Sequence, residues 1–197
     1  MTASGTLRDR VQAIVIGASA GGVEALSVLL PSLRLGMRAP VFIAMHLPRE
    51  RPSLLTDIFS SRCALPVREA EDKEPALPAT VYFAPPDYHL LLEDGPRIAL
   101  SVDELVHYSR PSIDVLFQSA ADVFGESLMG IILSGANEDG AEGLKTIHDC
   151  GGVTVVQEPT GAYESRMINA ALGACQPHFV LSLDAMASLL SALEVPG

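Results

Sequence analysis

Short apolar segments alternate with longer segments of helical periodicity along most of this chain. Runs of four or five consecutive apolar residues predict buried strands, whereas apolar positions that recur every three or four residues predict helices. The predicted strands cover residues 13–16, 41–45, 81–84, 129–133 and 153–156. The predicted helices cover residues 23–33, 53–61, 113–124, 141–149 and 184–193, with Ser112 placed to cap the third of them.

This alternation of strands and helices indicates the fold class. Strands that are apolar throughout are typical of a parallel sheet that is covered on both faces. The sequence therefore predicts an α/β fold with a doubly wound, mainly parallel sheet and helices on both faces. Residues 89–92 and 97–100, separated by a turn-forming segment, predict a local antiparallel β-hairpin. We expect one domain at residues 11–197, preceded by an N-terminal tail at residues 1–10.

Composition excludes several classes of function. Hydrophobic residues make up 48% of the 197 residues and charged residues 19%, which is enough apolar material for a large core and too little charge for a disordered chain. The formal net charge of −11 repels phosphate groups. The sequence therefore argues against a general nucleic-acid binder and against a protein that binds acidic lipid surfaces.

The cysteines and the N-terminal segment indicate in which cellular compartment the protein works. The cysteines (Cys63, Cys150 and Cys175) are odd in number and far apart, which is typical of reduced thiols rather than of a disulfide framework or a zinc site. Residues 8–20 imitate a secretion signal, but the apolar stretch is short and contains Gln12. No apolar stretch reaches the roughly 18 residues of a membrane-spanning helix. We expect a cytoplasmic protein with no direct membrane insertion.

The first turn after a strand carries a motif with chemical meaning. Residues 17–21 read Gly-Ala-Ser-Ala-Gly and follow the first predicted strand directly. This matches G-x-S-x-G, in which a tight turn from strand to helix lifts the serine hydroxyl clear of the backbone. The start of the next helix offers unpaired N–H groups to an oxyanion. Ser19 is therefore a candidate nucleophile.

A serine nucleophile needs a base, and the base needs a partner that fixes its tautomer. His46 follows the second strand, and Asp139 follows the strand predicted at 129–133. Because active sites of parallel sheets lie at the carboxyl ends of the strands, Ser19, His46 and Asp139 could converge on one cleft. Their order along the chain differs from the Ser, Asp, His order of the α/β-hydrolases.

Other interpretations of these residues stay open at this point. A glycine-rich first turn also occurs in dinucleotide-binding loops, although Ser19 and His46 depart from the pattern of that motif. His46 could be structural, and Asp139 could be a turn residue or a helix cap. The remaining histidines lack metal-ligand spacing, and among them His89 is kept as a possible rim residue. The acidic residues at 69, 71, 72 and 74 indicate a solvated loop.

Five segments of the chain form an ordered set of motifs: IGASAGGVEAL at 16–26, HLP at 46–48, YFAPPDYHL at 82–90, RPSIDVLF at 110–117 and LSGANEDGA at 133–141. In this order they resemble the catalytic domain of the chemotaxis protein-glutamate methylesterase family. The resemblance runs from about residue 11 to residue 193. Five ordered segments are far more specific than a single G-x-S-x-G motif.

The resemblance implies a Ser19–His46–Asp139 catalytic triad. It implies hydrolysis of glutamate γ-methyl esters on the cytoplasmic helices of methyl-accepting chemotaxis-type receptors, with glutamine deamidation in some members. It also implies that the backbone N–H groups of Ala20 and Ala136 serve the oxyanion, and that Met167 lines the cleft. No metal and no organic cofactor is expected.

The chain departs from the family pattern at several positions. Ala20 and Ala136 stand where the family often has Thr and Met, but a backbone donor survives such a replacement. Glu138 stands where Asn is usual, and we expect it to face solvent, since a carboxylate in the cleft would raise the pKa of Asp139. Met167-Ile168-Asn169 replaces the common Met-Pro-Arg.

The well-known chemotaxis members of this family carry an N-terminal receiver domain, so we expect this chain to be a stand-alone member that is either controlled differently or always open.

Two hypotheses compete with the esterase. The departures at Ala136, Glu138 and residues 167–169 favour, as an alternative, a catalytically weak or inactive signalling or binding module that keeps the fold. Nucleotide binding by the glycine-rich turn is the weaker alternative.

Overall fold

The computed structural model describes residues 3–47, 53–95 and 97–194. Pro48 of the histidine segment and Pro96 of the predicted hairpin turn lie outside the described residues. The strands are β1 (Ala13–Ala18), β2 (Val41–Met45), β3 (Val67–Glu69), β4 (Val81–Phe83), β5 (His89–Glu93), β6 (Arg97–Ser101), β7 (Leu128–Ile132), β8 (Val153–Gln157) and β9 (Phe179–Leu181). The helices are α1 (Ala3–Arg10), α2 (Gly22–Leu29), α3 (Leu55–Ser60), α4 (Ile113–Phe124), α5 (Ala141–Asp149), α6 (Arg166–Ala174) and α7 (Leu183–Ser191).

Seven strands form one sheet in the order β3-β4-β2-β1-β7-β8-β9, and every neighbouring pair in it is parallel. The chain starts in the middle at β1, runs outward to one edge and then returns to β7 on the other side of β1. This reversal makes the sheet doubly wound. Strands β5 and β6 form a separate antiparallel hairpin. Both features confirm the predicted fold class.

The helices cover the sheet on both faces, as expected. Helices α2, α3 and α7 pack on one face, against a core that includes Ile14, Ile16 and Ile131. Helices α4, α5 and α6 and the β5–β6 hairpin pack on the opposite face, against Val15, Phe42 and Ile132. Successive residues of a strand point to opposite faces, so an uninterrupted apolar strand serves both layers.

The observed elements differ from the predicted ones where local signals are weak. The helix predicted at 23–33 ends at Leu29 and continues as a 3-10 turn that contains Pro31, because proline cannot donate the next helical hydrogen bond. The edge strands β3 and β9 have only three residues each and carry partly exposed side chains. Helices α1 and α6 were not predicted either, and α1 occupies most of the predicted N-terminal tail.

The structure also bears on the acidic segment, the cysteines and the membrane. The acidic segment at 69–74 is not only a solvated loop, because Asp72 accepts a hydrogen bond from the Leu100 amide and Glu74 accepts one from the Glu71 amide. Cys63, Cys150 and Cys175 are free thiols. Among the helices of the described ranges, none is long and apolar enough to cross a lipid bilayer.

Gly17 of β1 and Gly173 of α6 provide a matched test of the packing beneath α4. A Cβ at Gly17 would lie 2.3 Å from Cγ2 of Ile113, whereas a Cβ at Gly173 would meet no atom within 4 Å. We expect Gly17→Ala to lower the free energy of unfolding by about 1–3 kcal/mol through overpacking. Gly173→Ala should raise it by up to about 1 kcal/mol, since alanine favours a helix interior. Urea denaturation followed by circular dichroism measures both, and equal stability of the two variants would contradict the packing described.

Candidate active site

The predicted nucleophile and base lie side by side at the carboxyl edge of the sheet. Strands β1 and β2 are paired up to Ala18 and Met45, so Ser19 and His46 are the next residues on adjacent strands. A hydrogen bond of 3.1 Å from the His46 amide to the Ala18 carbonyl extends this pairing. Strand β7 flanks β1 on the other side. The chain reverses its direction of winding here, which is where ligand-binding crevices of open α/β sheets form.

Ser19 occupies a tight turn from strand to helix. The amide of Gly22 donates to the Ser19 carbonyl at 2.8 Å, and the amide of Ser19 donates to the Ser134 carbonyl at 2.9 Å. Gly21 adopts a φ of 82°, a left-handed conformation that glycine accepts readily. Ser19 is half-buried. The turn is the one that the G-x-S-x-G pattern predicts.

His46 and Asp139 meet although 93 residues separate them along the chain. The distance between His46 Nε2 and Asp139 Oδ2 is 2.7 Å. The Asp139 carboxylate is fully buried, whereas the His46 ring keeps a small exposed surface. The structure therefore places the predicted base and acid in direct contact at the edge of the cleft.

The buried carboxylate of Asp139 is saturated with hydrogen bonds. Oδ2 also accepts from the Ile113 amide at 2.7 Å, and Oδ1 accepts from the Ser112 hydroxyl at 2.8 Å and from the Asp114 amide at 3.0 Å. These donors form the N-terminus of α4, where unpaired amides and the helix dipole favour a negative charge. Ser112 caps α4 as predicted and accepts from the Val115 amide. Asp139 also acts as a cap, because its carboxylate accepts from the free amides at the start of α4. It does not cap α5, the helix that follows it in the chain.

These contacts determine the charge of Asp139 and the tautomer of His46. Burial alone would raise the pKa of Asp139, but the hydrogen bond from His46 and those from the Asp114 and Ile113 amides outweigh it and lower the pKa. An ionised carboxylate only accepts hydrogen bonds, so the hydrogen between His46 and Asp139 resides on Nε2. The lone pair of the neutral ring is therefore on Nδ1.

One contact of the expected triad is open in this structure. Within the described residues, the Ser19 hydroxyl makes no hydrogen bond with the His46 ring. Their adjacent strand positions keep the two side chains within reach, because neighbouring strands lie about 4.8 Å apart. Contacts between nucleophile and base are often long without substrate and tighten when it binds.

A second buried carboxylate, Asp114, lies beside the first. Its Oδ1 accepts from the Gly140 amide at 3.0 Å and from the Gly143 amide at 2.6 Å, at the start of α5. Desolvation by burial, together with the charge of Asp139, raises the pKa of Asp114 to about 6 against the opposing hydrogen bond from Gly143. The two carboxyl groups therefore ionise in different pH ranges.

His107 lies on the solvent side of the Asp114 carboxylate. Its Nε2 lies 3.3 Å from Asp114 Oδ2, and its Nδ1 lies 3.8 Å from Glu138. Together, His107, Asp114 and Asp139 are close enough to hold a metal ion. However, Asp139 already accepts four hydrogen bonds and Asp114 accepts two from amides, so the structure accounts for both carboxylates without a cation. Glu138 is exposed, as expected, and pairs with Arg166 at 3.2 Å.

His89 is not a rim residue, which corrects the expectation. It is only 1% exposed. Its Nδ1 accepts from the Ser112 amide at 3.1 Å, and its Nε2 donates to the Glu104 carbonyl at 2.9 Å. His89 therefore positions Ser112, which in turn donates a hydrogen bond to Asp139.

The backbone donors expected at the oxyanion site are available. Within the described residues, the amides of Ala20 and Ala136 donate to no protein acceptor. Ala136 is exposed and Ala20 is half-buried. Met167 differs from expectation, because its side chain is 0% exposed and packs beneath Gly135, where a Cβ would lie 2.5 Å from Met167 Cε. It supports the loop that carries Ala136 and does not line the cleft in this conformation.

Ser134 is a site residue that sequence reasoning missed. Its hydroxyl lies 2.7 Å from the Ala20 carbonyl and 3.0 Å from the Glu164 carbonyl, and accepts from the Glu164 amide at 2.9 Å. The side chain of Gln157 accepts from the Ser134 amide at 2.9 Å. Ser134 thus joins the turn at residues 17–22, here called the nucleophile turn, to the loops after β7 and β8. The sequence feature that could have identified Ser134 is its position directly after the apolar segment 129–133.

Comparisons with known proteins agree with this geometry. The family model described as CheB methylesterase matches residues 14–190. A protein of Leptospira interrogans is 43% identical over 183 residues, which cover 93% of this chain and 95% of that protein. The protein-glutamate methylesterase/protein-glutamine glutaminase of Clostridium acetobutylicum is 33% identical over 179 residues. This alignment covers 91% of the present chain but 52% of the Clostridium protein, so the chain spans about half the length of that relative.

A solved structure shares the whole architecture. The crystal structure of the Thermotoga maritima CheB methylesterase catalytic domain superposes with a TM-score of 0.88 at 27% sequence identity, covering 93% of this chain and 98% of that domain. The family model matches β1 from its second residue, all of β2 and β7, and the candidate residues Ser19, His46 and Asp139. Sequence family, fold and the placement of these strand ends agree, and the chain therefore belongs to the CheB methylesterase family.

Proposed function

We propose that this protein is a serine esterase that hydrolyses glutamate γ-methyl esters on chemoreceptor-type proteins in the cytoplasm, with glutamine deamidation as a second reaction of the same site. The observation that carries the proposal is the 2.7 Å contact between His46 and a buried, hydrogen-bonded Asp139, next to Ser19 on the neighbouring strand. Family membership supports the reaction class, and the name of the Clostridium relative includes both activities.

The first half-reaction transfers the acyl group to Ser19. Oγ attacks the ester carbonyl while its proton passes to Nδ1 of His46, the ring atom that Asp139 leaves free. Asp139 holds the ring in this tautomer and stabilises the imidazolium that forms. The carbonyl oxygen becomes negative, and the unpaired amides of Ala20 and Ala136 are the donors available to it. The C–O bond then breaks, and methanol leaves with the proton from His46.

The second half-reaction restores the enzyme. Water attacks the acyl-serine while His46 accepts one of its protons, and His46 then gives this proton to Oγ of Ser19 as the acyl C–O bond breaks. The glutamic acid that is released loses the second proton of the water to solvent. With glutamine as substrate the leaving group is ammonia, and the remaining steps are the same. The residues of this chain supply the nucleophile, the base and the oxyanion donors that these steps require.

Substitution of the nucleophile is the direct test. We expect Ser19→Ala to lower kcat for methanol release from a methylated receptor fragment by about 10⁴-fold or more, because the variant lacks the hydroxyl that forms the acyl-enzyme. The matched control is Ser27→Ala in α2, whose hydroxyl only bonds the Val23 carbonyl one turn earlier. Equal methanol release by the two variants would remove the triad assignment, and labelling of Ser19 by an active-site phosphonate would argue against an inactive binding module.

The acid can be tested through its hydrogen bonds. In Asp139→Asn, either orientation of the amide places its NH₂ group against a backbone N–H that now bonds the carboxylate, from Ile113 or from Asp114. We expect kcat to fall by about 10⁴-fold, since His46 loses its fixed tautomer. The free energy of unfolding should also fall by about 1–3 kcal/mol, because a buried donor loses its acceptor. A variant with wild-type stability in urea would show that these amides do not depend on the carboxylate.

The raised pKa of Asp114 predicts that the free energy of unfolding changes with pH. Because its pKa is raised to about 6, folded Asp114 holds its proton longer than an unfolded Asp does. The contribution of Asp114 to stability therefore falls as the pH rises from about 4 to about 6. We expect Asp114→Asn to gain about 2–3 kcal/mol relative to wild type across this window. Urea denaturation at several pH values measures the difference, with exposed Asp184→Asn as control, and parallel pH curves for wild type and Asp114→Asn would contradict the assignment.

A further inference from the structure

Exposed aromatic side chains occur on loops around the candidate active site. Tyr88 follows β4, Tyr108 precedes α4 and Tyr163 follows β8, and these tyrosines are 42%, 94% and 81% exposed. All six phenylalanines lie in the described ranges, and none of them is exposed. Among the described residues, the exposed rings of phenylalanine and tyrosine are therefore confined to these loops, and tyrosine is enriched at protein interfaces.

Tyr163 lies directly against the nucleophile turn. A Cβ at Gly21, two residues after Ser19, would lie 2.5 Å from Tyr163 Cβ and 3.2 Å from Tyr163 Cγ. The base of the tyrosine side chain thus rests on the backbone of this turn, while most of the ring faces solvent. The absence of a side chain at Gly21 is what allows this approach.

The backbone next to Tyr163 is held firmly. The carbonyl of Glu164 accepts from the Gly135 amide at 3.1 Å, and the amide of Glu164 donates to the Ser134 hydroxyl at 2.9 Å. The Ala162 amide donates to the Pro159 carbonyl at 3.2 Å on the other side. The ring is therefore exposed on an ordered support, so little further conformational entropy is lost when a partner packs against it.

The substrate of the proposed reaction needs contacts of this kind. A methyl ester at the tip of one glutamate offers little surface of its own, and a helix places its next apolar residues about 5.4 Å away, one turn along. Binding energy must then come from groups at the rim of the cleft that meet the helix on either side of the ester.

We propose that Tyr163 is a specificity-determining residue, which packs against the helical segment of the protein substrate that carries the methylated glutamate. This inference rests on the proposed esterase function and adds the surface that selects a protein over a small ester. Tyrosine is enriched among the residues that dominate interface energies, because its ring buries a large area at a small entropic cost. The apolar residues one turn before or after the ester are the groups that this ring would contact.

Two substrates separate this role from a structural one. We expect Tyr163→Ala to lower kcat/KM for a methylated receptor fragment by about 10- to 30-fold, mainly through KM. Hydrolysis of p-nitrophenyl acetate, which has no helix to bind, should stay within about twofold of wild type. Tyr163→Phe should keep the activity on the receptor fragment, because the ring remains. Leu35→Ala is the control, since Leu35 is 75% exposed and precedes the amino end of β2, whereas the candidate active site lies at the carboxyl ends of the strands.

The outcomes are distinct. Equal losses on both substrates would show that Tyr163 only supports the nucleophile turn, and no loss on the receptor fragment would show that it makes no substrate contact; either result overturns the inference. If the wild type releases no methanol, the proposed function fails by itself. Binding of the fragment to Ser19→Ala, with and without Tyr163→Ala, then still measures the contact, and equal dissociation constants would overturn it.

Discussion

The charge of Asp139 at the N-terminus of α4 is the interaction on which the site depends. Its carboxylate is removed from water and is stable there because a hydroxyl, two helix amides and the His46 ring donate to it. Asp114 of the same helix accepts from the amides that begin α5. Each of the two helices thus receives a carboxylate from the segment that begins the other. This reciprocal arrangement fixes α4, α5 and the loop after β7 as one unit.

The parallel sheet supplies the remaining geometry. Because β2, β1 and β7 are neighbours with a fixed register, their three carboxyl ends present Ser19, His46 and the loop of Asp139 at one point. Ser134 then ties the nucleophile turn to the loop after β8. Four separate segments of the chain are therefore positioned by hydrogen bonds to the main chain, and the side chains of the candidate active site stand on a rigid support.

Much of this could be predicted from the sequence. Strand β2 and helix α5 have the predicted bounds, because an apolar run and a glycine-limited helix are strong local signals. The short edge strands β3 and β9 were missed, since three residues with exposed positions carry little periodicity. Ser19, His46 and Asp139 were chosen as candidates because each follows a strand, and the structure brings His46 and Asp139 into contact. The roles of Asp114, Ser134 and His89 depend on contacts between distant segments, which no local pattern encodes.

The reliance on main-chain donors has a consequence for how such sites diverge. In the proposed mechanism, Ala20 and Ala136 contribute through their peptide nitrogens, so their side chains can change while the donors persist. Proline is the exception, because its ring nitrogen carries no hydrogen. Over evolutionary time these positions should tolerate small, large, polar or apolar residues and reject a single imino acid.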